Sequence, residues 1–111
     1  MRAIYVTSPP HQKGLQIWAK PLGAKTYGVF LMNAGRNPVA ASLPMANVSE
    51  SVFAAGDGVC VRDLYTGKTL PPLKAGAPLK ADLPVHDSAM YCAYPSAADG
   101  TCSGAAAKDC P

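Results

Sequence analysis

Apolar residues in this chain come in short runs closed by proline, glycine or asparagine. Such punctuation predicts short strands rather than helices. The runs place strands near Ala3–Thr7, Leu15–Lys20, Thr26–Asn33, Val39–Leu43, Val59–Leu64, Leu79–Leu83 and Ser88–Tyr94. Turn signals lie between them. Asn33-Ala34-Gly35-Arg36-Asn37-Pro38 is one, with Gly35 expected to take a positive φ. Tyr65-Thr66-Gly67-Lys68 is another, with Gly67 expected in the left-handed region. Pro44–Gly58 gives no clear pattern.

Two strands depart from simple alternation. In Thr26–Asn33, Tyr27, Val29 and Leu31 point one way, while Gly28, Phe30 and Met32 point the other. In Ser88–Tyr94, Ala89, Tyr91 and Ala93 oppose Met90, Cys92 and Tyr94. An antiparallel sheet with one wet face alternates apolar and polar positions. These strands are apolar on both faces, so something is expected to cover the second one. The candidates are the C-terminal tail, a loop or a partner domain.

Length and composition narrow the fold. A chain of 111 residues is one domain's worth of polypeptide. It is too short for a (β/α)₈ barrel, which needs at least ~200 residues. Eleven prolines, ten glycines and a single glutamate, Glu50, leave little room for helix. The expected fold is all-β: an antiparallel two-sheet sandwich of Greek-key type, with about six to eight short strands. The chain divides into an N-terminal strand and loop (1–14), the sandwich (15–94) and an Ala/Gly/Cys-containing tail (95–111).

The net charge of +3 is mild, and the cationic residues are scattered without interleaved aromatics. This argues against nucleic acid as a partner. No apolar run approaches the ~20 residues of a membrane span. The opening Met1–Val6 is followed too soon by Pro9-Pro10 to form a signal peptide. The chain is therefore expected to be either intracellular or a fragment.

Candidate chemistry is sparse. Asp57 lies in the turn signal Gly56-Asp57-Gly58. Asp63 precedes a turn, and Asp82 and Asp87 flank a proline corner. Each is read as turn or surface structure rather than as half of a catalytic pair. His86-Asp87-Ser88 has the residue types of a hydrolytic triad, but adjacent residues on an extended chain face opposite sides and do not converge. His11 has no evident partner. No catalytic residue, metal ligand or cofactor is assigned. The four cysteines, Cys60, Cys92, Cys102 and Cys110, include no close zinc-type pair. Cys60 and Cys92 are read as small core residues or as a bridge between strands. In an oxidising compartment, a Cys102–Cys110 disulfide closing the tail is expected. Asn47-Val48-Ser49 is a glycosylation sequon. Trp18, the sole tryptophan, is assigned to core or interface, with a weak carbohydrate platform as the alternative.

Three stretches also carry a family resemblance. They are Leu15-Gln16-Ile17-Trp18-Ala19-Lys20-Pro21-Leu22, Val61-Arg62-Asp63-Leu64-Tyr65-Thr66-Gly67-Lys68 and Leu83-Pro84-Val85-His86-Asp87-Ser88-Ala89-Met90. In this order they resemble the C-terminal β-sandwich of α-galactosidases (melibiases) over about Leu15–Tyr94. Departures are Tyr65 where the family has tryptophan, the Val48–Val59 insert and the cysteine-bearing tail. The resemblance implies a non-catalytic domain that packs against a catalytic barrel and is inactive alone. It favours a fragment of a secreted, lysosomal or vacuolar enzyme. The partner-facing residues expected on this basis are Trp18, Phe30, Met32 and Met90. The alternative is a stand-alone sandwich, acting as a glycan- or protein-binding module or as a structural subunit.

Overall fold

A computed structural model of the chain describes residues 2–5, 14–23, 25–53, 58–74, 76–96, 102 and 110, with backbone alone for 2–5 and 50. Seven strands are present among the described residues: β1 (Arg2–Tyr5), β2 (Leu15–Pro21), β3 (Tyr27–Asn33), β4 (Val39–Leu43), β5 (Val59–Asp63), β6 (Leu79–Leu83) and β7 (Ser88–Pro95). They form a five-stranded sheet in the order β1-β2-β3-β7-β5 and a two-stranded sheet, β4-β6. All pairs are antiparallel. After β3 the chain alternates between the sheets, which is how seven short strands close one core. The expected two-sheet sandwich is thus the observed fold. His11, Asp57 and the Ser8–His11 loop lie outside the described residues.

The core lies between the sheets. Leu15, Ile17, Val29, Leu31 and Val61 of the large sheet are fully buried against Leu43 and Leu79 of the small one. These positions recur every second residue because the pleat sends alternate side chains to one face. The unreadable segment turns out to close the open end of this core. It forms a 3-10 turn, Met45–Asn47, and a single helical turn, α1 (Glu50–Phe53). Met45, Val48 and Phe53 point inward, and Phe53 meets Tyr27 edge-on with ring centroids 5.9 Å apart. Three inward residues within nine match neither a strand's period of two nor a helix long enough to show its own.

Turn chemistry fixes the strand ends. Asp63 Oδ1 accepts the backbone N–H of Tyr65 at 2.8 Å and of Thr66 at 3.3 Å. Gly67 takes φ +75°, the left-handed role expected of it. Asp63 is therefore a turn former, as its position implied. Gly35, however, does not take positive φ; Gly14 does, at +92°. A Cβ on Gly14 would lie 2.5 Å from the Gly35 Cα, so the two glycines serve a close approach of two loops.

Asn33, at the end of β3, is fully buried. Its side-chain amide donates to the carbonyls of Asn37 (2.8 Å), Leu83 (3.1 Å) and Pro84 (3.3 Å), while its Oδ1 accepts the Gly35 N–H at 2.9 Å. One side chain thus ties the 34–37 turn to the corner after β6. That corner places His86 at φ +62°, and the His86 N–H donates to the Asn33 carbonyl at 3.1 Å. The histidine of the His86-Asp87-Ser88 sequence is a backbone element of this corner, and its side chain is exposed.

Candidate functional site

The outer face of the large sheet, turned away from the core, is the region with functional character. Strand register builds it in rows. Trp18 of β2 pairs with Phe30 of β3, and Phe30 with Met90 of β7. The row continues to Leu64, whose N–H donates to the Met90 carbonyl at 2.9 Å. A second row runs Lys20, Gly28, Cys92, Arg62. A third holds Gln16, Met32 and Ser88, and there the Tyr65 hydroxyl lies 2.9 Å from Ser88 Oγ. The expected partner-facing residues, Trp18, Phe30, Met32 and Met90, therefore share one surface, and each is half-buried.

Gly28 leaves a gap in the second row. A groove of about 140 Å³ opens there, lined by Trp18, Leu22, Gly28, Phe30, Leu64 and Met90 among others. Leu22 leans over it, 3.5 Å from where a Gly28 Cβ would stand. Lys20 lines the groove, and Arg62 stands in the same row beyond Cys92. Lys20 is exposed, while Arg62 is half-buried with a buried Nε that lacks a hydrogen-bond partner among the described residues. A lone glycine in an otherwise apolar strand was a legible sign of close approach by another group. The contributions of Leu22, Leu64 and Arg62 depend on register and loop path, which the sequence does not display.

The other half of this face is tied to two cysteines of the C-terminal segment. Cys60 bonds Cys102 and Cys92 bonds Cys110, with Cα–Cα distances of 5.5 and 5.8 Å. The Tyr94 hydroxyl donates to the Cys102 carbonyl at 3.0 Å. Cys60 and Cys92 are wholly buried and Tyr94 nearly so. The expected Cys102–Cys110 pair is thus corrected, as is a bridge between the two strand cysteines. The physical reason lies in the sheet. Cys60 pairs in register with Tyr94, and Cys92 with Arg62, so both thiols stand on the outer face of adjacent strands. Each takes a tail cysteine from above, and both link the tail to the sheet rather than to itself.

Among the described residues, acidic and histidine side chains do not converge. Asp63 is engaged in its turn, Asp82 is exposed on the small sheet, and Asp87 Oδ1 accepts the Ser88 N–H at 2.9 Å in the corner. Among the described residues, no group of three His, Cys, Asp or Glu side chains is placed to hold a metal ion. Tyr91 faces the core beside Asp63; burial, and then the Asp63 charge, raise its hydroxyl above the ordinary 10.0. No helix among the described residues is long and apolar enough to cross a membrane.

The two-sheet sandwich matches a known family. The model of the α-galactosidase C-terminal β-sandwich domain matches residues 12–93. The chain belongs to that family. Among solved structures, α-galactosidase I from Mortierella vinacea is similar with a TM-score of 0.68 and 21% identity, over 91% of this chain and 24% of that one. A GH27 β-L-arabinopyranosidase from Geobacillus stearothermophilus gives a TM-score of 0.69 at 17% identity, over 86% of this chain and 20% of that one. A Bacillus halodurans protein assigned as an α-N-acetylgalactosaminidase gives the same values. The chain thus spans about a fifth to a quarter of the length of these structures. Among curated protein sequences no significant match is found.

Proposed function

We propose that this sandwich is the non-catalytic C-terminal domain of an α-galactosidase-like glycoside hydrolase, and that its open outer face docks on the catalytic barrel. The observation that carries the docking role is the Trp18–Phe30–Met90–Leu64 row. It is apolar, in register across the sheet, and half-exposed. β1 supports the choice of occupant. It is the edge strand beside β2, with Ala3 opposite Trp18, so polypeptide entering at Arg2 arrives next to the open half. An upstream domain is tethered where the apolar row begins.

The three similar structures carry names for three different sugars, yet each contains this sandwich. That fits a domain which supports the barrel and leaves sugar selection to it. The groove favours protein over carbohydrate. Sugars need rings flanked by polar partners, and this groove is almost wholly apolar. Tyr65, 59% exposed, offers only one ring, and its hydroxyl is already engaged by Ser88.

The test is expression of the reading frame that carries this chain together with its upstream sequence. The expected product hydrolyses a chromogenic α-galactoside, and Phe30→Asp lowers its thermal inactivation temperature while the isolated chain unfolds much as before. A reading frame without a barrel, or a joined protein indifferent to Phe30→Asp, would overturn the docking role.

A further inference from the structure

We propose that Asn47 is an N-glycosylation site, carrying a glycan that projects from the end of the sandwich, clear of the docking face. The chain has three asparagines. Asn33 is followed by Ala34-Gly35 and Asn37 by Pro38-Val39, so neither is an acceptor; Asn47-Val48-Ser49 is. The structure separates them in the same way. Asn33 is fully buried and spends its amide on three carbonyls, whereas Asn47 is exposed on the 3-10 turn.

Local packing makes room for the modification. Val48 is 1% exposed and anchors the sequon to the core, together with Met45 and Phe53. Ala46 and Asn47 are left outward, so a bulky, solvated substituent meets no core residue. A second, independent observation gives the compartment. All four cysteines are paired, and both bridges need an oxidising environment to form and persist. In a eukaryotic secretory lumen, disulfide formation and transfer to this sequon occur side by side. None of the residues lining the outer-face groove comes from the 44–53 segment, so glycan and docked partner do not compete.

The transfer balances with one co-reactant, a lipid-pyrophosphate-linked oligosaccharide. The Asn47 amide nitrogen attacks C1 of the reducing-end sugar. A C1–N bond forms, the C1–O bond to pyrophosphate breaks, the amide gives one proton to the transferase's base, and lipid pyrophosphate leaves.

The experiment places the full chain behind a cleavable secretion signal in a yeast host and weighs the disulfide-bonded product, from medium and lysate alike. The expected product is a population heavier by one glycan, converted by peptide N-glycosidase to a single species with an aspartate at the site. Asn47→Gln and Ser49→Ala abolish the increment. Ser49→Thr and Ser51→Ala keep it, the latter removing only the hydroxyl 3.3 Å from Ser49 Oγ. A disulfide-bonded wild-type chain with Asn47 wholly unmodified, or an increment that persists in Asn47→Gln, would overturn the proposal. Neither result bears on barrel docking, which is read from the joined protein's heat resistance.

Discussion

The two faces of β3 teach what each side of the large sheet is for. Val29 and Leu31 are fully buried against the small sheet, while Phe30 and Met32, between and beside them, stay half-exposed. Both sets are apolar and belong to one strand. The inner set has a partner supplied by the chain itself. On the outer face of the neighbouring strands β5 and β7, Cys60, Cys92 and Tyr94 are tied to Cys102 and Cys110. In the proposed docking, a strand apolar on both faces serves the chain's own stability on one side and association on the other.

The largest test of this division is loss of the tail. The Cys60–Cys102 bridge spans 42 residues and Cys92–Cys110 spans 18. By the chain-entropy model they contribute about 4 and about 3 kcal/mol, less in combination because the loops overlap. Cys102→Ser should lower unfolding free energy in denaturant by several kcal/mol, and the freed outer face should bind more hydrophobic dye. Unchanged dye binding would show that the tail does not cover this face.

Next comes the strand itself. Leu31→Ala removes a fully buried side chain and should cost about 2–5 kcal/mol in denaturant unfolding. Phe30→Ser, one residue away on the other face, should cost the isolated chain under about half of that and reduce dye binding. Equal costs would make the outer face a second core rather than a docking surface.

Asn33→Ala probes the inner edge. It removes the amide's bonds to the carbonyls of Asn37, Leu83 and Pro84, and leaving the buried Leu83 carbonyl unpaired costs about 1–3 kcal/mol. The loss should loosen the 34–37 and 84–87 corners in hydrogen exchange and leave the groove unchanged.

The smallest effect concerns pH. The folded-state Tyr91 hydroxyl is raised above the ordinary 10.0, by burial first and the Asp63 carboxylate second. The folded chain therefore holds this proton more tightly than the unfolded one. Its contribution to stability is complete below pH 10 and is lost as pH rises from there through the folded value. Tyr91→Phe should flatten the alkaline limb of the stability–pH curve, and an unaltered limb would show that Tyr91 does not govern it.

Much of this was legible from residues. Proline and glycine close each apolar run, so the bounds of Val39–Leu43 and Leu79–Leu83 follow from composition alone. The double apolar face of β3 and β7 pointed to the outer face of the large sheet, where Trp18, Phe30, Met32 and Met90 lie half-buried and Cys60 and Cys92 form disulfides. Other features depend on long-range geometry. The cysteine pairing follows from which face of β5 and β7 each thiol occupies and from the path of the tail, so chain proximity of Cys102 and Cys110 misled. The buried role of Asn33 rests on two distant corners meeting at one amide. The 45–53 segment has too few turns for any period to show.

The most direct test of docking uses the methionines as reporters. Met32 and Met90 lie on the outer face, half-buried, and Met45 lies in the core, 4% exposed. Peroxide oxidation read by peptide mass should modify Met32 and Met90 well ahead of Met45 in the isolated chain. In the protein that joins this sandwich to its upstream barrel, both should slow to the rate of Met45. Undiminished oxidation of Met32 and Met90 in the joined protein would contradict the account, because it would leave the outer face open with the barrel present.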